Sequence, residues 1–111
     1  MAKAKKIEVE GKEYILAFPN RRSAENAEKL GFNLTLVDSQ PLVQTNILFH
    51  ASLLAKQENV SAQEADEIRE KYQADGGDIS EINSFLLKEY TGFFESPKGK
   101  KKMKKAETIE I

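Results

Sequence analysis

The sequence predicts an α+β fold that is mainly helical: an N-terminal β-hairpin followed by about four helices, with flexible lysine-rich ends. Three observations predict it. Residues 7–10 alternate apolar and charged side chains, Gly11-Lys12 interrupts, and residues 13–18 resume with β-branched and aromatic side chains, which is the pattern of two strands joined in a hairpin. From residue 20 onward the apolar spacing lengthens to every third or fourth position, the period of a helix with one buried face. Glycines at positions 31, 76, 77 and 92 then fall where successive helices would end. Neither a series of βαβ units nor an internal repeat is visible, so strands and helices are segregated along the chain.

Taken in order, Ile7-Glu8-Val9-Glu10 forms a first strand, Gly11-Lys12 the turn, and Glu13-Tyr14-Ile15-Leu16-Ala17-Phe18 a second strand rich in β-branched and aromatic residues. Pro19 ends it, because proline has no N–H to give a ladder. Asn20 is a helix cap, and the helix it starts runs to about residue 30. Gly31 supplies the left-handed residue that stops it, and Phe32, one position past the glycine, is expected to fold back on Ala27. Asp38 and Ser39 lie in a loop leading to Pro41, which suits the first turn of a helix over 41–57.

That second helix carries no Asp, Glu, Lys or Arg from position 42 to position 55, and its apolar residues fall around most of the circumference. A helix apolar nearly all round is a central one, so it is expected to be covered by neighbours on several sides. Ser61 and Glu64 form a capping box that opens a third helix with a narrow apolar stripe of Ala62, Ala65, Ile68 and Tyr72; Glu64, Asp66, Glu67 and Glu70 are left facing water. Gly76-Gly77 stops it. A fourth helix begins near Asp78 and presents Ile82, Phe85, Leu86 and Tyr90, and Gly92-Phe93 is expected to repeat the Gly31-Phe32 ending.

The predicted organisation is a flexible segment 1–6, a single domain 7–94, and a flexible basic tail 95–111. Charge is segregated in the same way. The first segment holds three lysines, the domain holds fifteen acidic against eight basic side chains, and the tail holds six lysines against three glutamates. An acidic body repels phosphates, so nucleic acid binding would be left to the tails alone and is the minority reading. The chain has no cysteine, which excludes disulfides, thiolate metal sites and thiol catalysis. No apolar run approaches the roughly 20 residues that span a bilayer, and the cytoplasm is the expected compartment.

Residues suited to catalysis are few. The sole histidine, His50, lies inside the uncharged helix with no Asp or Glu within four positions to orient its ring, so it is expected to be a structural histidine with one satisfied nitrogen. The carboxylates of the third helix alternate with Arg69 and Lys71 and lack the spacing of a calcium loop. Gly76-Gly77 is not followed by the lysine and hydroxyl residue of a phosphate loop. No enzyme activity, cofactor, metal or small-molecule substrate is therefore expected. A macromolecular partner is. Arg21 and Arg22 oppose the dipole of the helix they begin, so either they pair with Glu25, Glu28 or the acidic hairpin, or they contact a partner. Phe93 and Phe94 at the edge of the domain, and Lys100, Lys101 and Lys102 in the tail, complete the candidate partner-binding residues.

The stretch from Ile7-Glu-Val-Glu-Gly-Lys through Ala-Phe-Pro-Asn-Arg-Arg-Ser-Ala, followed by Glu28-Lys-Leu-Gly-Phe32, resembles the small tail assembly chaperones of long-tailed phages and prophages of Gram-positive bacteria. The apolar segment 41–57, with its Leu48-Phe49 pair, extends the resemblance, while Pro19 departs from the family pattern. The resemblance implies a helper made in the infected or lysogenic cell and absent from the mature virion. Such a helper binds the tape measure protein and keeps it soluble while tail tube subunits polymerise around it. It also implies a second, longer product, in which ribosomal slippage in adenine-rich lysine codons near positions 100–105 would append a domain that engages the tail tube protein. The alternatives are a minor structural or completion protein of the tail or head-tail junction, and a nucleic acid binding protein acting through its basic tail. Oligomeric state is left open.

Overall fold

The structure, a computed structural model, describes residues 3–57 and 59–93. Strands β1 (Ala4–Val9) and β2 (Lys12–Ala17) are followed by helix α1 (Arg21–Lys29), a 3-10 turn (Leu34–Leu36), and helices α2 (Pro41–Leu54), α3 (Ala62–Ala74) and α4 (Ile79–Thr91). A hairpin followed by four helices is the order the sequence predicts.

Two details of the hairpin differ from that prediction. The turn is Glu10-Gly11, closed by the Val9–Lys12 pair, and both central residues have positive φ, 54° and 81°. A two-residue turn whose twist matches the strands requires this conformation at both positions, and Gly11 accommodates the second freely. The strand also starts at Ala4, inside the segment expected to be flexible, with Ala4 opposite Ala17 and Lys6 opposite Ile15. The acidic body accounts for the extension. Lys5 Nζ lies 3.0 Å from a Glu81 carboxylate oxygen and 5.6 Å from the centre of the Phe85 ring, and the Lys3 N–H donates to Glu89 at 3.2 Å. Lys5 is thereby held on α4 by its charge and Lys3 by its main chain, and β1 continues along the helix.

Ile7 and Val9 point inward from β1, and Leu16 and Phe18 from β2 and the residue after it. The outer edge of β2 is closed at its middle by a side chain. Gln57 Oε1 accepts the Ile15 N–H at 2.8 Å, and Gln57 Nε2 donates to the Ile15 carbonyl at 3.0 Å, as a neighbouring strand would.

The helix ends follow from single residues. Asn20 accepts the Ser23 N–H at 3.0 Å and Ser61 accepts that of Glu64 at 3.1 Å, each in a reciprocal capping box; Asp78 caps α4 through Glu81 N–H. At the end of α1, Gly31 has φ 110°; Phe32 N–H returns to Ala27 carbonyl at 2.9 Å and Gly31 N–H to Glu28 at 3.0 Å. This is the double hydrogen bond of a left-handed helix stop. Gly76 and Gly77 end α3 in the same way, through Gln73 and Tyr72. Gly92 does not repeat it. Its φ is −58°, the right-handed helical region, and Phe93 N–H bonds to Tyr90 as the helix merely tightens. A glycine permits the left-handed stop without enforcing it.

The core is a single cluster in which Phe18, Phe49, Leu16, Leu48, Leu53, Ile82 and Leu86 are fully buried. Each such side chain contributes on the order of 1.5–3 kcal/mol by leaving water. Tyr90 joins three elements: its ring stands edge-on to Phe32, centroids 4.8 Å apart, and to Phe18 at 6.2 Å. Helix α2 lies at the centre, against α1, α3, α4 and β2. Its coverage is less complete than its composition predicts. From Leu48 onward it is largely enclosed, whereas Leu42 and Val43 of its first turn are 75% and 54% exposed.

Candidate functional site

The first turns of α2 form one wall of an apolar groove of about 310 Å³, lined by Leu30, Val43, Asn46, Ile47, His50, Ala62 and Asp66. The groove is assembled from three pieces of chain. On α2, Val43, Ile47 and His50 are spaced i, i+4, i+7 and therefore form one row along the helix. The end of α1 supplies Leu30, and the start of α3 supplies Ala62 and Asp66.

Local chemistry sets each of these residues. The reversal at Gly31 turns Phe32 into the core and leaves Leu30, the last residue before the glycine, 41% exposed. Gly31 sits close to the groove, since a Cβ placed there would lie 3.6 Å from Ile47 Cδ1. Gln44 is the inward residue of the first turn of α2, only 2% exposed, and its Oε1 accepts the Asn33 N–H at 2.7 Å. That bond draws the 3-10 turn, with Leu34 at its start, against α2. With Gln44 and Leu48 turned inward, helical geometry sends Leu42 and Val43 outward. His50 Nε2 lies 2.6 Å from the Val60 carbonyl, which ties α2 to the segment before α3. One ring nitrogen of the histidine thus has a partner, as the sequence predicts; that it is Nε2 is decided by the fold.

Leu30, Leu34, Leu42 and Val43 are all of the exposed large hydrophobic side chains among the described residues. They fall on one stretch of chain, from the end of α1 to the first turn of α2. Leu30 and Val43 line the groove, whereas Leu34 and Leu42 are not part of its lining. Sequence pattern alone does not single them out. A signal is present in Leu42-Val43 ahead of Gln44, but an uncharged helix reads as covered on every side unless its neighbours are known to stop short.

The residues selected from sequence are distributed differently. Arg21 and Phe93 come together in a small cleft of about 110 Å³ between α1 and the end of α4, with Ala24, Glu25, Glu28 and Tyr90. Arg21 Nε lies 3.3 Å from Glu25 across one helical turn, both side chains exposed, so the pair is worth well under about 1 kcal/mol. Arg22 is exposed and forms no ion pair among the described residues. Phe93 is half-buried against the core. Phe94, Lys100, Lys101 and Lys102 lie outside the described residues.

A third recess of about 290 Å³ separates the hairpin from α3 and is polar, with Glu10, Lys12, Glu64, Glu67 and Lys71 at its margin. Lys71 donates to Glu10 at 3.2 Å; that bond, then the Glu10 charge, raises the ammonium pKa above its ordinary value. Among the described residues no three His, Asp or Glu side chains converge in a way that could hold a metal ion. No helix of the described residues is long and apolar enough to cross a membrane. What the apolar groove offers is adhesion: a hydrophobic trough with Asn46, His50 and Asp66 as its polar groups.

The profile of one protein family, described as Domain of unknown function (DUF5055), matches residues 1–108. No curated protein and no solved structure matches the chain.

Proposed function

We propose that this chain, which belongs to the DUF5055 family, acts as a phage tail assembly chaperone that binds the tape measure protein and keeps it soluble until the tail tube forms. One observation carries the reading: two of the exposed apolar side chains, Leu30 and Val43, line one groove together with Ile47, and Leu42 precedes Val43 in the exposed first turn of α2. A tape measure is a long chain whose helices present apolar stripes, and such a stripe laid in a hydrophobic groove buries surface on both sides. The resemblance over 7–57 supports the same reading. On it the chain is a binding protein and not an enzyme, works in the cytoplasm of the infected or lysogenic host, and does not remain in the finished particle.

The mechanism is reversible masking. A groove of this size covers a few turns of helix, so many copies would share one tape measure, each bound weakly enough to be displaced as tube subunits polymerise. In a longer, frameshifted product the basic tail would join this body to a second domain that engages the tail tube protein.

Coexpression with the tape measure protein of the same phage or prophage tests the reading. The tape measure is expected in the soluble fraction with this protein and in the pellet without it. A tape measure equally insoluble in both cases, or this polypeptide in fixed copy number in purified particles, would refute the proposal.

A further inference from the structure

The sheet has two strands and hence two outer edges, and they are treated differently. In a hairpin closed by a two-residue turn, the closing pair exchanges both main-chain hydrogen bonds, and bonded and non-bonded pairs then alternate. Val9–Lys12 closes this turn, so Ile7–Tyr14 and Lys5–Leu16 are the other bonded pairs. Ala4, Lys6 and Glu8 on β1, and Glu13, Ile15 and Ala17 on β2, direct their N–H and C=O groups outward. The capture of both Ile15 groups by Gln57 fits this parity and closes the middle of the β2 edge. On the β1 edge, the N–H and C=O groups of Lys6 and Glu8 have no partner among the described residues, and both residues are exposed.

An open edge of this kind pairs with another strand, and its sequence selects which one. Antiparallel pairing of β1 with β1 of a second copy must bring outward-facing residues opposite outward-facing residues, which leaves few registers. With the two-fold axis at Lys6, lysine faces lysine; with the axis at Glu8, glutamate faces glutamate. With the axis at Ile7, Lys6 of each copy lies opposite Glu8 of the other. Opposite charges directly across a ladder stabilise it and like charges oppose it.

We propose that the chain forms a two-fold dimer through the outer edge of β1, with Ile7 at the axis and Lys6 of one copy paired with Glu8 of its partner, in a continuous four-stranded antiparallel sheet. The interface is isologous, as closed homodimers are. It supplies about four main-chain hydrogen bonds and two ion pairs on the solvent face. Lys6 has an intramolecular contact with Glu13 at 3.7 Å with both side chains exposed, a loose bridge that leaves it free to reach across. The apolar groove is not used.

Sedimentation velocity of the full chain over a concentration series tests the proposal, with any tag placed at the C-terminus. The expected mass approaches twice the 12.5 kDa of one chain. Lys6→Glu and Glu8→Lys should each weaken the dimer at least tenfold, and the double variant K6E/E8K, which restores opposite charges in the same register, should recover it. Circular dichroism of each variant checks that the fold is kept. Amide hydrogen exchange supplies a second readout: the Lys6 and Glu8 N–H groups should gain protection as concentration rises, while that of Ile15 stays constant. A chain monomeric throughout overturns the proposal. So does a dimer indifferent to both single charge reversals, or one abolished by Val43→Asp and untouched by Lys6→Glu, which would place the contact at the groove. None of these outcomes depends on tape measure binding.

Discussion

The Tyr90 hydroxyl donates to the Glu28 carboxylate at 2.6 Å, joining the last turn of α4 to the last turn of α1 across 62 positions of sequence. The ring is buried and packed edge-on against Phe32 and Phe18, while the bond lies at the margin of the Arg21 cleft. Burial, then the hydrogen bond to Glu28, then its negative charge push the phenol pKa well above its ordinary value. A group whose folded pKa is raised contributes stability that is fully present below its unfolded pKa, here about 10, and is lost as pH rises through the folded value. Tyr90→Phe is therefore expected to cost about 1–2 kcal/mol at neutral pH through the lost charge-assisted bond. The gap between wild type and variant in urea unfolding should narrow above about pH 10. A gap that widened there would contradict the assignment.

Two glycines at helix ends should respond in opposite directions to the same substitution. Gly31 has φ 110°, and a Cβ there meets only Ile47 at an ordinary 3.6 Å, so Gly31→Ala is penalised by backbone conformation and not by crowding. The expected loss is about 1–2 kcal/mol. Gly92 is right-handed with a φ of −58°, and a Cβ there stays 3.4 Å from the nearest carbonyl oxygens. Gly92→Ala should leave stability unchanged or raise it by up to about 1 kcal/mol. Thermal unfolding of the two variants side by side measures the contrast.

Gln57 holds the middle of β2 with both ends of its amide. Besides its two bonds to Ile15, its Nε2 donates to the Leu53 carbonyl at 2.7 Å. Gln57→Glu retains the shape and loses both donations, and is expected to destabilise the protein by about 1–3 kcal/mol. Faster exchange of the Ile15 amide than of its strand neighbours would locate the damage. A variant as stable as wild type would show that water replaces the side chain at this edge.

Leu42→Asp and Val43→Asp separate adhesion from folding. Both side chains are exposed, so each change should alter unfolding free energy by no more than about 0.5 kcal/mol. Binding of an apolar dye, and retention of the tape measure in the soluble fraction, should fall together. Loss of tape measure solubility without a loss of fold is the signature of the groove. Unchanged solubility would move the binding surface elsewhere.

Much of the fold is legible in the sequence because its signals are local. Asn20, Gly31, Ser61-Glu64, Gly76-Gly77 and Asp78 each act through main-chain groups within a few residues, and the structure places a cap or a stop at every one of them. The Tyr90, Ile82 and Leu86 face of α4 is readable from its period alone. Gly92 misleads because a left-handed stop depends on the residues beyond the glycine as well as on the glycine itself. The start of β1 misleads because Lys3, Lys5 and Lys6 look like a solvated charge run until Glu89 is brought to the Lys3 main chain and Glu81 to the Lys5 ammonium.

The candidate site is the least legible part, and the reason is physical. Sequence by itself determined the hairpin, the four helices, the acid excess of the body and the uncharged character of α2, all of which rest on near-neighbour spacing or on counting. Only the tertiary structure decided which side of α2 stays open, because exposure of Leu42 and Val43 depends on where α1 and α3 end in space, and on Gln44 anchoring Asn33. It likewise decided which strand edge is closed, through a glutamine 42 residues away from its partner. Burial and edge protection are properties of the assembled chain, so a residue's own neighbours in sequence carry no record of them.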